Sequence, residues 1–193
     1  QEFEPSKVML NLSDTGNANS GDLRLSLAWQ NTNVFQKDHV ATLQYTMAPD
    51  EFDAVSIFGG GYRIPFYRQG LLLDLVAAYS DVSSGSVPVP SGSLDFTGKG
   101  LVLGGQLSRL LPTVFNVEQR ITASLYQRQY RNDCGPGGVF GFCQDYTTRP
   151  VGLAYSGTWK QPGRQLNYRL GANINWAGGP KGSSAQLMLA PSR

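Results

Sequence analysis

From Ala54 to Ser80 the chain reads AVSIFGGGYRIPFYRQGLLLDLVAAYS, two alternating runs joined by a short polar link. In the second run Leu71, Leu73, Leu75, Ala77 and Tyr79 share one face, and Leu72, Asp74, Val76, Ala78 and Ser80 share the other. That spacing has period two and predicts a β-strand. The first run sets Ala54, Ser56, Phe58, Gly60, Tyr62, Ile64 and Phe66 on one side, with Arg63 on the other. Pro65 and the Tyr67-Arg68-Gln69-Gly70 link end it and start the return strand. One face of the pair is apolar and finishes in aromatics, while the opposite face carries Arg63 and Asp74. A sheet that is apolar outside and polar inside is what a membrane barrel requires.

The same alternation recurs along the chain. Val8, Leu10 and Leu12 form one such set, followed by Leu23, Leu25, Leu27 and Trp29 against Arg24, Ser26, Ala28 and Gln30. Ala41, Leu43, Tyr45 and Met47 come next. Leu101, Leu103 and Leu107 oppose Val102, Gln106 and Ser108, and Ile121, Ala123 and Leu125 oppose Glu118, Arg120, Thr122, Ser124 and Arg128. The last pair sets Val151, Leu153, Tyr155 and Trp159, then Leu166, Tyr168, Leu170, Ala172, Ile174 and Trp176, against Lys160, Asn167, Arg169 and Asn173. Arg109 and Gln127 fall on the apolar parity, but near strand ends, where polar groups reach the interface at little cost. Asp81 to Lys99, rich in Ser, Gly and Pro, reads as a loop too broken to be a strand.

Composition agrees with an inverted sheet. Charged residues are 16% of the 193, against the roughly 25% usual in soluble domains, and glycines number 23. A soluble sandwich charges its outer face. No run approaches the roughly 18 apolar residues of a membrane helix, so any spanning falls to strands. The net charge of +2 comes from scattered basic residues, and nucleic acid is set aside as a partner. The expected fold is therefore all-β, an incomplete transmembrane antiparallel β-barrel of about nine strands, with Ser183 to Leu189 starting a tenth. Gln1 to Pro5 lacks the features of a signal peptide, and the chain reads as an excerpt, residues 1–193 forming part of an outer-membrane barrel.

Connection lengths alternate long and short. Barrels of the outer membrane have short periplasmic turns and longer outside loops, so the links near Asn31, Tyr67, Pro112 and Lys160 are assigned to the periplasm. Trp29, Tyr45, Tyr79, Trp159 and Trp176 stand toward strand ends, as interfacial girdles do.

The stretches GDLRLSLAWQNTNVFQKDHVATLQYTMAPDEFDAVSIFGGGYRIPFY and GLLLDLVAAYSDVSSG resemble the first barrel strands of the ShlB/FhaC/HecB group of two-partner secretion translocators, within the Omp85 superfamily. The likeness covers roughly residues 5 to 110, and the remainder by architecture only. It implies an outer-membrane barrel that exports a large adhesin-like or haemolysin-like partner polypeptide without nucleotide. Members carry periplasmic POTRA domains before the barrel and a pore-inserted loop with a VRGY-like tetrapeptide late in it. Neither is present in these residues, so no client-contacting position is carried over.

The chemistry-bearing residues have blander readings beside the functional ones. Cys134 and Cys143 bracket a flexible GPGGVFGF link in a loop assigned to the oxidising exterior, which favours a disulfide over a metal pair or free thiols. Gly59-Gly60-Gly61 lies within a strand with no helix after it, so it is a packing feature and no phosphate cradle. His39 reads as a solvated turn residue. Asp74 and Glu118 share the inward face with Arg24, Arg63, Arg120, Arg128, Lys160 and Arg169, and mixed charges there suit a wet pore wall or salt-bridge network better than a catalytic pair. No catalytic residue, metal or cofactor is expected. A passive porin-like channel has the same alternation and is the alternative. An outer-membrane enzyme lacks its Ser/His constellation, and a soluble adhesion module lacks charged outer faces.

Overall fold

The computed structural model describes residues 4–14, 22–50, 55–90, 92–131, 146–176 and 185–186. The strands are β1 (Ser6–Ser13), β2 (Arg24–Val34), β3 (His39–Met47), β4 (Ser56–Phe66), β5 (Leu71–Val89) and β6 (Gly92–Val114). They continue as β7 (Val117–Arg131), β8 (Tyr146–Thr148), β9 (Pro150–Gln161), β10 (Arg164–Asn175) and β11 (Ala185–Gln186). All belong to one antiparallel sheet in which neighbours in sequence are neighbours in space. β8 and β9 continue one line along β7: Arg128 faces Thr148 and Leu125 faces Val151, with the break at Arg149, just before Pro150. Proline cannot donate to a ladder, which is why the strand is interrupted there. Among the described residues β1 and β11 are the sheet's ends and are not paired to each other. No helix among these residues is long and apolar enough to cross a membrane, which says nothing of crossing by strands.

The four connections at one end are short, at 35–38, 67–70, 115–116 and 162–163, while at the other end 14–23, 48–55 and 132–145 are longer and β5 turns into β6 at 90–91 only after the two strands have run on as an extended hairpin. Backbone geometry closes the short ones. Gly70 and Gly163 take positive φ of 62° and 74°, where glycine carries no steric penalty. Phe115 and Asn116 both have positive φ, 51° and 61°, the pattern of a type I′ two-residue hairpin. The turn expected near Pro112 therefore lies beyond it, and the ladder slips between Leu111 and Val114 before the chain turns.

Burial follows the alternation with its usual sense reversed. Along β5, Asp74, Val76, Ala78 and Ser80 are buried while Leu75, Ala77 and Tyr79 are exposed. Elsewhere the exposed parity carries Leu10, Leu27, Leu43, Phe58, Leu103, Leu125, Leu153 and Leu170. A single sheet with no second layer covers one face only by curving around it, as twisted and coiled sheets do. The central strands gain most from this. β1 and β10, near the ends, stay largely exposed on both faces.

The largest departure from expectation lies between Asp81 and Lys99. These residues do not form a loop: β5 and β6 stay paired there, with one slip between Val82 and Gly85, up to Val89 facing Gly92. Backbone pairing needs no side-chain alternation, so a Ser-, Gly- and Pro-rich stretch gave no period-two signal and still forms a hairpin.

Candidate functional site

The buried face of the curved sheet holds one tightly paired set of ionisable residues. β4 and β5 place Arg63 and Asp74 in direct register. Arg63 Nε donates to Asp74 Oδ1 at 2.6 Å and Nη2 donates to Oδ2 at 3.3 Å, a two-pronged contact. Gln106 of β6 donates from Nε2 to the same Oδ2 at 3.2 Å. Asp74 is only 4% exposed, so its carboxylate has exchanged water for these three donors. A buried charge without such partners is costly, and removing one partner typically costs about 3 to 5 kcal/mol.

Hydroxyl pairs continue the polar surface. Ser26 and Thr46, opposite each other on β2 and β3, have oxygens 2.8 Å apart, and Ser108 and Thr122 on β6 and β7 stand at 3.0 Å. Ser80 is 1% exposed. This same face also holds an apolar island of Ala48, Val55, Ile57, Val76, Ala78 and Val102, with Tyr126 packed against it. A uniformly wet wall would not carry such an island. The composition of this face is mixed, with the apolar part toward the long-connection end.

The remaining expected pore residues do not form one network. Arg24 is buried, with Nη1 donating to the Leu23 carbonyl at 3.0 Å. Glu118 and Lys160 form an exposed ion pair, 2.8 Å between Nζ and Oε1, close to the short-turn end. Arg128 sets its guanidinium carbon 5.8 Å from the Tyr126 ring centroid, within cation–π range, while its Nε is buried without a hydrogen-bond partner among the described residues. Arg120 is exposed. Arg169 lines a groove of about 300 Å³ together with Gln106, Thr122, Ser124, Tyr126 and Asn173. Cys134 and Cys143 lie outside the described residues, and their pairing remains a sequence-based expectation. Among the described residues no group of His, Cys, Asp and Glu is arranged to hold a metal ion.

Several contributors were not legible as site residues. Gln106 sits at an unremarkable inward position and becomes a ligand to Asp74 only through the β5–β6 register. His39 is no solvated turn residue: it starts β3, with Nδ1 2.8 Å from the Tyr62 hydroxyl and the two rings edge to face at 5.5 Å. Gly61 is buried beneath Pro90, whose ring a Cβ there would strike. A glycine in a strand marks such close approaches, but its partner is invisible in sequence.

The exposed face is organised across strands. Leu27, Tyr45, Phe58, Tyr79 and Leu101 follow one another in register over five neighbouring strands, placing three aromatics in a transverse row. Nearer the short-turn end Trp29 Nε1 donates to Ser6 Oγ at 2.9 Å, and the Tyr155 hydroxyl donates to Gln119 Oε1 at 2.6 Å. These rings are apolar over their bodies and satisfied at their polar tips.

No protein-family model matches the chain, and neither a curated protein nor a solved structure is similar to it.

Proposed function

We propose that the chain is one wall of an outer-membrane β-barrel of a Gram-negative bacterium, and that the complete barrel exports a large partner polypeptide, adhesin-like or haemolysin-like, by two-partner secretion. The observation that carries the reading is the reversed burial: Leu, Phe, Tyr and Val on the exposed parity, and Arg24, Asp74, Thr46, Ser80 and Ser108 on the buried one. In water an apolar surface of this extent is a liability. In a bilayer it is the lipid contact, the transverse aromatic row is an interfacial girdle, and unequal connection lengths set the short turns in the periplasm.

The reading also accounts for the edges. β1 and β11 carry unpaired backbone groups among the described residues, which hydrocarbon does not tolerate. Further strands joining these edges would close the wall. Export, rather than another use of a barrel, is supported by the resemblance of the run from Gly21 to Gly85 to the ShlB/FhaC/HecB translocators. Export of this kind would proceed without a nucleotide, a cofactor or a catalytic step. The wall supplies a polar path in which an extended chain makes loose contacts.

A deletion strain tests this directly. Restoring the full-length gene should return a large polypeptide to the culture medium. Return of small-solute permeability alone, with no polypeptide released, replaces export with a porin-like passive channel.

A further inference from the structure

The exposed face of β3 to β5 is not evenly filled. Leu43, Gly60 and Ala77 face one another across the three strands, between the rows Tyr45, Phe58, Tyr79 and Ala41, Tyr62, Leu75. Where the small residues Ala41, Gly60 and Ala77 meet, the surface drops into an apolar groove of about 390 Å³ walled by Trp29, Leu43, Phe58, Tyr62 and Leu75. That volume lies within the roughly 300 to 1,000 Å³ of small-ligand sites. Leu43 already leans over the floor, its Cδ2 2.9 Å from where a Cβ on Gly60 would stand.

One end of the groove is polar. His39 stands one outward position before Ala41 on β3, and its Nδ1 lies 2.8 Å from the Tyr62 hydroxyl, which satisfies that polar tip at the groove's mouth. Beyond it two short turns lie side by side, joined where the Tyr67 hydroxyl donates to Asp38 Oδ2 at 3.2 Å. These turns carry Lys37 and Arg68, both exposed. Arg109 of β6 stands against the second turn: it is in register with Leu71, and the N–H of Leu110 donates to the Gly70 carbonyl at 2.8 Å. Arg109 is itself exposed, on the otherwise apolar parity. Lys37, Arg68 and Arg109 thus face one carboxylate, Asp38, within these two turns. From Gly60 to Phe66, the end of β4, the strand runs roughly 20 Å. At a tilt of about 40° that is ~15 Å of depth, half of a hydrocarbon core of about 30 Å.

We propose that the groove is a specific site for an anionic glycerophospholipid. Its phosphate takes charge partners from Lys37, Arg68 and Arg109, and one of its acyl chains lies on Ala41, Gly60 and Ala77. This rests on the reading of the exposed face as lipid contact and adds to it one lipid class at one place. An arginine on the lipid-facing parity is held best by an anion, and a phosphate accepts its paired N–H donors as a carboxylate does. Shape selects the chain: a helix is about 10 to 12 Å across, too wide for a floor of two strands about 4.8 Å apart, whereas one extended hydrocarbon chain fits. The short turns face the periplasm in that reading, which places the lipid in the inner leaflet.

Trp29, on the groove wall, reports occupancy. The test uses the full-length protein with Trp29 as its single tryptophan, in bilayers of phosphatidylcholine and phosphatidylglycerol in which one or the other is brominated on its chains. A second form keeps Trp176 alone, an exposed ring that follows β10 and lies far along the sheet from the groove. Quenching of Trp29 should show a preference for phosphatidylglycerol of at least about fivefold, the effect of one cation at an anionic lipid surface. The preference at Trp176 should be near one. Arg68→Gln with Arg109→Gln should bring Trp29 to the value of Trp176, and Ala77→Phe, which fills the floor from the exposed side, should do the same with every cation in place. A Trp29 preference equal to that of Trp176, or one that survives both variants, overturns the site and leaves the lipid-facing wall standing. So does a Trp29 that neither lipid quenches while Trp176 is quenched, because protein then covers the groove. Loss of quenching at both rings overturns the lipid-facing reading, and the site with it.

Discussion

The ring of Tyr168 lies over Gly157, its register partner across β9 and β10, so that a Cβ on Gly157 would run into the ring's Cζ and hydroxyl. On the opposite face Tyr126 stands in register with Gly104, where a Cβ would meet the Leu125 carbonyl and Tyr126 Cα as well as the ring. At Gly171 the nearest atoms are 3.4 Å away. A ring tip can move and a backbone cannot. Gly104→Ala should therefore destabilise by about 2 to 3 kcal/mol, Gly157→Ala by about 1 kcal/mol, and Gly171→Ala should be near neutral. Folding titrations of the full-length protein into lipid vesicles measure the series, and a different rank order contradicts the packing described.

Arginine placed at Leu170, exposed and central in β10, should cost about 2 to 4 kcal/mol in the same assay, while arginine at Asn173 should cost little. From alternation alone Ala78 would be grouped with Asn173 as a tolerant inward position. The structure removes it from that group, because Ala78 is 2% exposed within the apolar island. Ala78→Arg should be as damaging as Leu170→Arg, through overpacking rather than lipid contact.

Alternation was legible wherever side chains on the two faces differ in kind. Leu71 to Ser80 is such a stretch, and from Asp74 to Ser80 burial alternates as parity assigns, while Leu71, Leu72 and Leu73 are all half-buried. It was silent where pairing is carried by backbone alone, hence the misreading of Asp81 to Lys99. Turn chemistry is less legible for a different reason: Phe35, Gln36 and Phe115 adopt positive φ, although none is among the usual turn residues. Of the charged residues grouped by parity on the inward face, Arg24 and Asp74 are buried and Arg63 and Arg128 partly so, while Glu118, Arg120, Lys160 and Arg169 are exposed. Which of them meet depends on cross-strand register and on a chain reversal 27 residues away from Arg63, and no local pattern reports that.

One long-range contact at the long-connection end gives a pH dependence. The Asp50 carboxylate accepts from the backbone N–H of Asp22 at 2.6 Å and of Leu23 at 3.3 Å. Loss of solvation pushes its pKa up, but these N–H groups, its own N–H and the nearby Arg24 charge outweigh that and hold it below the usual 3.8. A carboxyl whose folded pKa is lowered stabilises fully above its unfolded value and loses that contribution as pH falls through the folded one. Protection of the Asp22 and Leu23 amides, taken as observed exchange against the intrinsic rate at each pH, should hold down to about pH 4 and fall below it. Asp50→Asn should abolish that acid step. Protection that does not change with pH in the wild type would count against the contact.

Phe115 offers a stabilising change. It is 91% exposed and holds a positive φ that a bulky side chain adopts at a cost of about 1 to 2 kcal/mol. Phe115→Asn with Asn116→Gly supplies the residues a type I′ turn prefers and should raise stability by about 1 kcal/mol. Urea-induced unfolding in detergent micelles reads this, and a loss of stability would show that the ring makes an interfacial contact worth more than the strain.

Which face of the sheet meets lipid decides the function of this wall, and spin-label accessibility along β10 measures that residue by residue. Single cysteines from Leu166 to Ile174 would be labelled in the full-length protein in bilayers, with Cys134 and Cys143 replaced by Ser, and collision with oxygen compared to collision with a water-soluble nickel chelate. Labels at Leu166, Tyr168, Leu170, Ala172 and Ile174 should favour oxygen, and those at Asn167, Arg169, Gly171 and Asn173 should favour nickel, in strict alternation. Nickel access at every position, or no period of two, would contradict a membrane wall and with it the export reading.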